Sequence, residues 1–587
     1  MNQEWSLDKL YKGYDDPEFI RDMEELPARI GAFQELAANL GQGDPKEQLI
    51  AMLKAQEEVT LFRRRLFLFL DLKNAADSAD EQAVAAQAKT AMINSAIKKD
   101  IAAMDKWIGS LSNLQEMIDS DPFLKEYEFR LHEKQKEAAH LLSDDVEDVI
   151  ARLNVSAGWS WGNLQDHLTS SIEVEYDGGT TNLPAIRNMA HSHNAAVRKS
   201  AYEAELAAYP KIADSVAFAL NNIKSQVNTI SELRGYASPL DMTLEESRMT
   251  RATLEAMLSA MRRYLPKFHE YLRAKAEYLG HKKGLPWYDL FAPLGETHRK
   301  FTTEEAKEYL LKHFRPFAPD LADMVETAFD NAWIDFYPRK GKSGGAFCAG
   351  APFLKQSFVL TNFDGSLGDV VTLAHELGHA YHNHNLEGNR VLNTDYSMPV
   401  AETASTFNEV VIMNAAIAEA DGEERMALLE NQLQDVTQII CDIYSRYLFE
   451  TAVFEERKSS FLFPSRLNEL MQNAQKEAYG DGLDETYMHP YMWVCKSHYY
   501  SPDLSFYNFP YAFGGLFARG LYAKYQEEGE TFLPKYRALL KATAVSSVED
   551  VAAIAGIDLT QPEFWDKSLA MVAADIDAFI AMTKKKD

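Results

Sequence analysis

Two histidines four residues apart, with a glutamate between them, place the tightest constraint on how this chain folds. His375-Glu376-Leu377-Gly378-His379 lies among Val370, Val371, Leu373, Ala374, Leu377, Ala380 and Tyr381, which recur with helical spacing. Residues four apart on a helix stand nearly one above the other, so both imidazoles can reach a single ion. Glu376 can then reach a water on that ion, an arrangement suited to water attack on an amide. Ser366-Leu-Gly-Asp369 reads as a capping box that starts this helix. Its apolar surround predicts burial, and buried histidines need partners because unpaired polar groups are costly there. Gly378 costs the helix about 1 kcal/mol relative to Ala, which points to close approach of another backbone. His382 and His384 read as supporting, helix-end or surface groups rather than ligands, since His379 already supplies the second nitrogen.

Catalytic zinc sites use three protein ligands and leave one position open. The extended pattern HExxHxxGxxH is absent, because residue 382 is His and residue 385 is Asn. Ser397-Met-Pro399 introduces a second predicted helix, with Pro in its first turn, running through Val400 to Val411. Glu402 and Glu409 are seven apart on it, two turns along one face, amid Ala, Val and Phe. Two carboxylates on a buried face want a cation or a hydrogen-bond network. Glu402 is assigned as the third ligand and Glu409 as the acceptor that orients a ligand imidazole. An ordinary salt-bridge network is the alternative for both. Cobalt or manganese would suit the same ligand types as zinc.

Residues 344–348 and 356–362 are the best strand candidates in an otherwise helical chain. Gly344 and Gly345 would let a peptide backbone come close, and an edge strand pairs with an extended substrate by β-augmentation. Gly345, Ala346 and Phe347 are therefore candidate substrate-binding residues, with a plain Gly-rich turn as the competing reading. Further on, residues 487–525 hold eight of the 27 tyrosines. Amide hydrolysis develops an oxyanion that phenol or imidazole donors stabilise. His498, Tyr507 and Tyr511 lie in this cluster, which core packing would also explain.

His375 to His379 followed by Glu402-Thr-Ala-Ser-Thr-Phe-Asn-Glu409 resembles the oligoendopeptidase F branch of the thimet-oligopeptidase-like metallopeptidases. Residues 334–348, 357–363 and 158–171 are similar to other segments of that family, as are His498-Tyr-Tyr and Phe506-Tyr507-Asn-Phe-Pro-Tyr511. The resemblance implies a mainly α, two-lobed zinc endopeptidase with a deep channel and a small β-sheet next to the histidine helix. It implies one zinc per chain and short, unstructured peptides as substrates. It also implies that His498, with one or both of Tyr507 and Tyr511, stabilises the transition state; Tyr499 and Tyr500 remain substitutes, because the spacing differs from the thimet branch. A boundary near residue 195, between a helical lobe (1–195) and a catalytic domain (196–587), is drawn from the resemblance.

A formal net charge of −28 opposes binding to nucleic acid or anionic membranes. Neither a signal-peptide core in the first 30 residues nor a membrane-spanning apolar run is evident. Three widely spaced cysteines, Cys348, Cys441 and Cys495, suggest no disulfide framework and fit a cytoplasmic location. The terminal Lys-Lys-Lys-Asp reads as a solvated helix end. The expected activity is zinc-dependent internal cleavage of short peptides. A dipeptidyl carboxypeptidase-like exopeptidase and a non-catalytic peptide-binding zinc protein are the rivals. Oligomeric state is not legible.

Overall fold

The computed structural model describes residues 3–295 and 299–584, and helices carry most of that length. Only Lys584 of the terminal tetrapeptide lies within the described residues. Periodic amphipathic stretches fill the first 330 residues, 47–75, 197–232 and 252–280 among them, and these become helices with the caps their sequences offer. Residues 47–75 fall in Pro45–Ala76, whose Asp44 side chain accepts from Glu47 N. Residues 252–280 match Arg251–Tyr278, capped by Thr250. The stretch 197–232 divides into Ala195–Ala208 and Ala213–Leu233. Pro210 lies in the gap, where it has no N–H to continue the ladder. No described helix is long and apolar enough to cross a membrane.

Buried hydrophobic residues form two cores. The smaller gathers side chains from Trp5 to Leu131, and the larger runs from Ile172 to Phe579. Apart from a two-stranded hairpin, β1 (Glu173–Tyr176) and β2 (Gly179–Asn182), one three-stranded sheet is present among the described residues. Its strands are β3 (Ile334–Asp335), β4 (Phe347–Ala351) and β5 (Gln356–Leu360), in the order β3-β5-β4. It forms the seam between the cores. Because successive side chains on a strand point to opposite faces, Phe358 and Leu360 enter the smaller core while Val359 enters the larger. Trp5 packs on Phe347 and Phe358 from the smaller side, with ring centroids 6.2 and 6.3 Å away.

The first strand prediction shifts in register. Residues 344–346 precede β4 as a bend, with Gly345 at φ +76°, and pairing begins at Phe347. A left-handed glycine breaks the extended run, so both a Gly-rich turn and a strand are present, one after the other. β4 pairs only with β5 and is an edge strand. Across the seam, the segment between the two predicted site helices is strapped to the smaller lobe. Arg64 donates to Thr394 Oγ1 at 2.8 Å, Arg130 to Leu392 O at 3.1 Å, and Asn393 to Glu126 O at 2.8 Å.

Candidate functional site

The histidine helix spans Leu367–Asn385 and begins with the capping box read from its sequence. Ser366 Oγ accepts from Asp369 N at 3.1 Å, and Asp369 Oδ2 accepts from Ser366 N at 2.9 Å. Gly378 is where the helix meets its partner. A Cβ there would lie 2.5 Å from both Ala404 O and Ser405 Cα, so only glycine lets the Thr403–Glu419 helix pack this close. Asn408 Nδ2 adds a hydrogen bond to Ala374 O at 3.1 Å. The continuous helix predicted over 397–411 is interrupted: Met398–Ala401 ends, Glu402 turns at φ −92°, ψ 12°, and Thr403–Glu419 follows. Gly514 of the Phe509–Glu528 helix packs beneath this turn, and a Cβ on it would come within 3.1 Å of Glu402 Cβ.

Three donor atoms converge as a result. His375 Nε2 and His379 Nε2 are 3.2 Å apart, and each lies 3.4 Å from Glu402 Oε2. A tetrahedral ion with bonds of about 2.0–2.2 Å spaces its donors about 3.3–3.6 Å apart. The triangle fits such an ion. Glu409 Oε1 accepts from His375 Nδ1 at 2.5 Å, which turns the Nε2 lone pair towards the triangle. Ser405 Oγ donates to Glu402 Oε2 at 2.6 Å. Burial disfavours charge on both groups, but each is outweighed. Glu409, Glu402 and Glu376 hold His375 up at about 9. His379, Ser405 and His375 hold Glu402 down at about 2. Three carboxylates therefore converge where they favour positive charge. Burial raises Glu376 above the usual carboxylate range, against the pull of His375 and His379.

A cavity of about 790 Å³ opens over His375, Glu376, His379 and Glu402. Ala346 and Phe347 of the bend and edge strand form one wall. Gly345 is not part of that wall; its carbonyl accepts from Asn362 Nδ2 at 2.8 Å, which fixes the bend. The smaller lobe contributes Arg64, Phe67 and Asp71 from the Pro45–Ala76 helix. Nothing in the sequence of that helix separates these residues from an ordinary amphipathic face. Cys348 also lines the cavity, and burial pushes its thiol up, away from the reactive thiolate. His382 is fully buried, stacked on Tyr396 and 2.8 Å from Thr543 Oγ1. His384 pairs with Glu387 at the exposed helix end.

His498, Tyr507 and Tyr511 form a second group outside that cavity's lining. Their ring centroids lie 4.8 to 5.8 Å apart. Tyr511 stands one turn before Gly514 and has its pKa raised by burial, by Tyr507 and in part by Glu402, which relates the group to the triangle. Burial, then Arg446 and Lys496, lower His498 to about 4, so its imidazole is neutral near pH 7. Tyr499 and Tyr500 are buried, and Tyr500 OH donates to Trp493 O at 2.7 Å. The Tyr500 hydroxyl is thereby engaged as a donor.

The loop that carries Tyr507 is held by residues the sequence did not mark. Phe506 sits at φ +53°, and its N–H donates to Glu450 Oε1 at 3.1 Å. Asn508 Nδ2 donates to Glu450 Oε2 at 2.9 Å, and fully buried Lys224 donates to Oε1 at 2.7 Å. A satisfied buried network of this kind fixes one backbone conformation.

Comparison with known proteins agrees with this architecture. The model of peptidase family M3 matches residues 188–571, and one described as oligopeptidase F matches residues 111–173. Oligopeptidase PepF of Bacillus subtilis (strain 168) is 26% identical over 564 residues, covering 93% of this chain and 83% of its own. A crystal structure from Chlamydophila abortus superposes with a TM-score of 0.86 at 20% identity, covering 99% of this chain and 98% of its own. That of oligoendopeptidase-F from Enterococcus faecium gives 0.72 at 19% identity, covering 97% and 99%. The chain belongs to peptidase family M3 and is a peptidase.

Proposed function

We propose that this member of peptidase family M3 is a zinc-dependent oligoendopeptidase that hydrolyses internal bonds of short, unstructured peptides. The observation that carries this reading is the triangle of His375 Nε2, His379 Nε2 and Glu402 Oε2, with donor spacings of 3.2 to 3.4 Å suited to one tetrahedral ion per chain. When bound, zinc supplies a Lewis acid that lets water lose a proton near neutral pH. Glu409 holds the His375 tautomer that presents Nε2. Glu376, buried and raised above the usual carboxylate range, takes the proton from the attacking water and passes it to the leaving amine. Neutral His498, with Tyr507 or Tyr511, donates to the developing oxyanion.

The peptide lies extended along the free edge of β4, against Ala346 and Phe347, with the Gly345 bend leaving room for its backbone. Entry between two lobes favours chains without folded structure. The division at residue 195, into a helical lobe and a catalytic domain, belongs to the same proposal. A paired assay of metal content and turnover tests the reading. Glu376→Gln should keep one zinc per chain and lose turnover. Substantial residual turnover would remove Glu376 from the role of base.

A further inference from the structure

A second cavity, of about 350 Å³, lies within the larger core's helices, and no residue lines both it and the cavity over the histidine helix. Its charge is opposite to that of the chain, whose net charge is −28. Arg187, Arg198 and Lys496 line it, against the single carboxylate of Glu205. Arg198 is already engaged, donating from Nε to Asp289 Oδ1 at 2.7 Å and from Nη1 to Ser192 O at 2.6 Å. Arg187 comes no closer than 3.8 Å to Glu205, which already accepts from Tyr209 OH at 2.6 Å and faces His489 Nε2 at 3.1 Å.

The side-chain ammonium of Lys496 has neither a hydrogen bond nor an ion pair among the described residues. The acid that acts on it, Asp442, is itself paired with Arg446. Burial lowers the pKa of its ammonium, and Arg446 and Arg187 add to that against the pull of Asp442. With Glu205 and Asp289 set against the three cations, one positive charge is left over. Asn188, His191 and Gln438 add polar groups, and the aromatic and apolar part of the wall is Trp287, Tyr288, Phe291 and Met492, with Tyr202, whose hydroxyl is turned away to donate to Met488 O at 2.6 Å. A partly desolvated cation without a partner is costly unless an anion joins it.

We infer that this cavity binds a carboxylate carried on an apolar or aromatic group. One excess charge matches a monoanion, and the aromatic walls match the body that bears it. Two sources share this chemistry: the free carboxyl-terminal residue of a peptide, and a free amino acid or similar small acid. The peptide source rests on the peptidase reading above. A carboxyl terminus held here lies in a cavity that shares no lining residue with the one over the metal site.

Titration of the full-length protein with 3-phenylpropionate and with its amide, read by calorimetry and Trp fluorescence, tests the inference. The acid should bind and the amide should not. Lys496→Met and Arg187→Gln should each weaken the acid by about 10- to 100-fold, the worth of a hydrogen bond to a charged group. Thermal melting checks that both variants are folded. Binding should persist after treatment with 1,10-phenanthroline, which separates this cavity from the metal site. Equal binding of acid and amide, no binding of either, loss of binding with the chelator, or indifference to both substitutions would overturn the inference. A second arm compares a peptide substrate with its carboxyl-terminal amide. A KM raised in wild type but not in Lys496→Met assigns the site to peptide ends. Equal KM values, with phenylpropionate still bound, assign it to free acids. Absence of any cleavage would count against the peptidase reading and leave the phenylpropionate result standing.

Discussion

The two flanks of the candidate site are built by opposite means. On the metal flank, four groups from His375 to Glu409 come together through one helix pair, using helical spacing and the missing side chain of Gly378. On the oxyanion flank, Tyr507 depends on a loop held by Glu450 and by Lys224, 226 residues away from it in the chain. His498 sits beside Arg446, which is itself fixed by Asp442. Local geometry makes the first flank robust and legible. The second rests on a buried ion pair, which is stable only while both partners and their hydrogen bonds are present.

The largest expected effect comes from breaking the metal flank. Glu402→Ala should strip zinc from dialysed protein and abolish turnover, because two imidazoles alone hold the ion weakly; unchanged metal content would exclude Glu402 as a ligand. Glu376→Gln should retain zinc and lower kcat by at least about 10²- to 10⁴-fold, the usual contribution of a general base. On the other flank, Tyr507→Phe should lower kcat by about 10²- to 10³-fold with KM little changed, as loss of one oxyanion donor does. If Tyr511→Phe has that effect instead, the donor is Tyr511.

Glu450→Gln sharpens the comparison, since it leaves Lys224 buried and unpaired. It should cost about 3–5 kcal/mol of stability by chemical denaturation. The double variant Lys224→Met/Glu450→Gln should recover much of that stability while kcat stays low. Full recovery of kcat would show that the network serves stability alone. Glu409→Gln is a milder break, weakening zinc by about 10- to 100-fold in competition with a chelating dye.

A further break is in pH dependence. His498 is lowered to about 4 by burial, Arg446 and Lys496, whereas an unfolded histidine titrates near 6.5. The unfolded chain thus takes up this proton first, and stability falls as pH drops from about 6.5 towards 4. His498→Gln should flatten that part of the profile relative to wild type. An unchanged slope would mean that the imidazole does not carry it.

What was readable in advance follows the same division. The capping box at Ser366, the close approach at Gly378 and the placing of Glu402 and Glu409 beside the histidines all depend on neighbours within 45 residues. The turn at Glu402 was not readable, because it packs against Gly514 of a helix more than 100 residues further along the chain. β4 begins three residues later than expected because Gly345 takes a left-handed backbone. Arg64, Phe67 and Asp71 reach the cavity only because the smaller lobe docks across the seam. A helix sequence records which face is apolar, not which neighbouring lobe its polar face will meet.

The most direct test of the account is cleavage of an internally quenched peptide of about ten residues, blocked at both ends and long enough for a strand-like site. The assay would be run alone, with 1,10-phenanthroline, and after zinc is restored. The account predicts internal cleavage that stops with the chelator and returns with zinc. Cleavage indifferent to the chelator, or none with one zinc bound per chain, would contradict it.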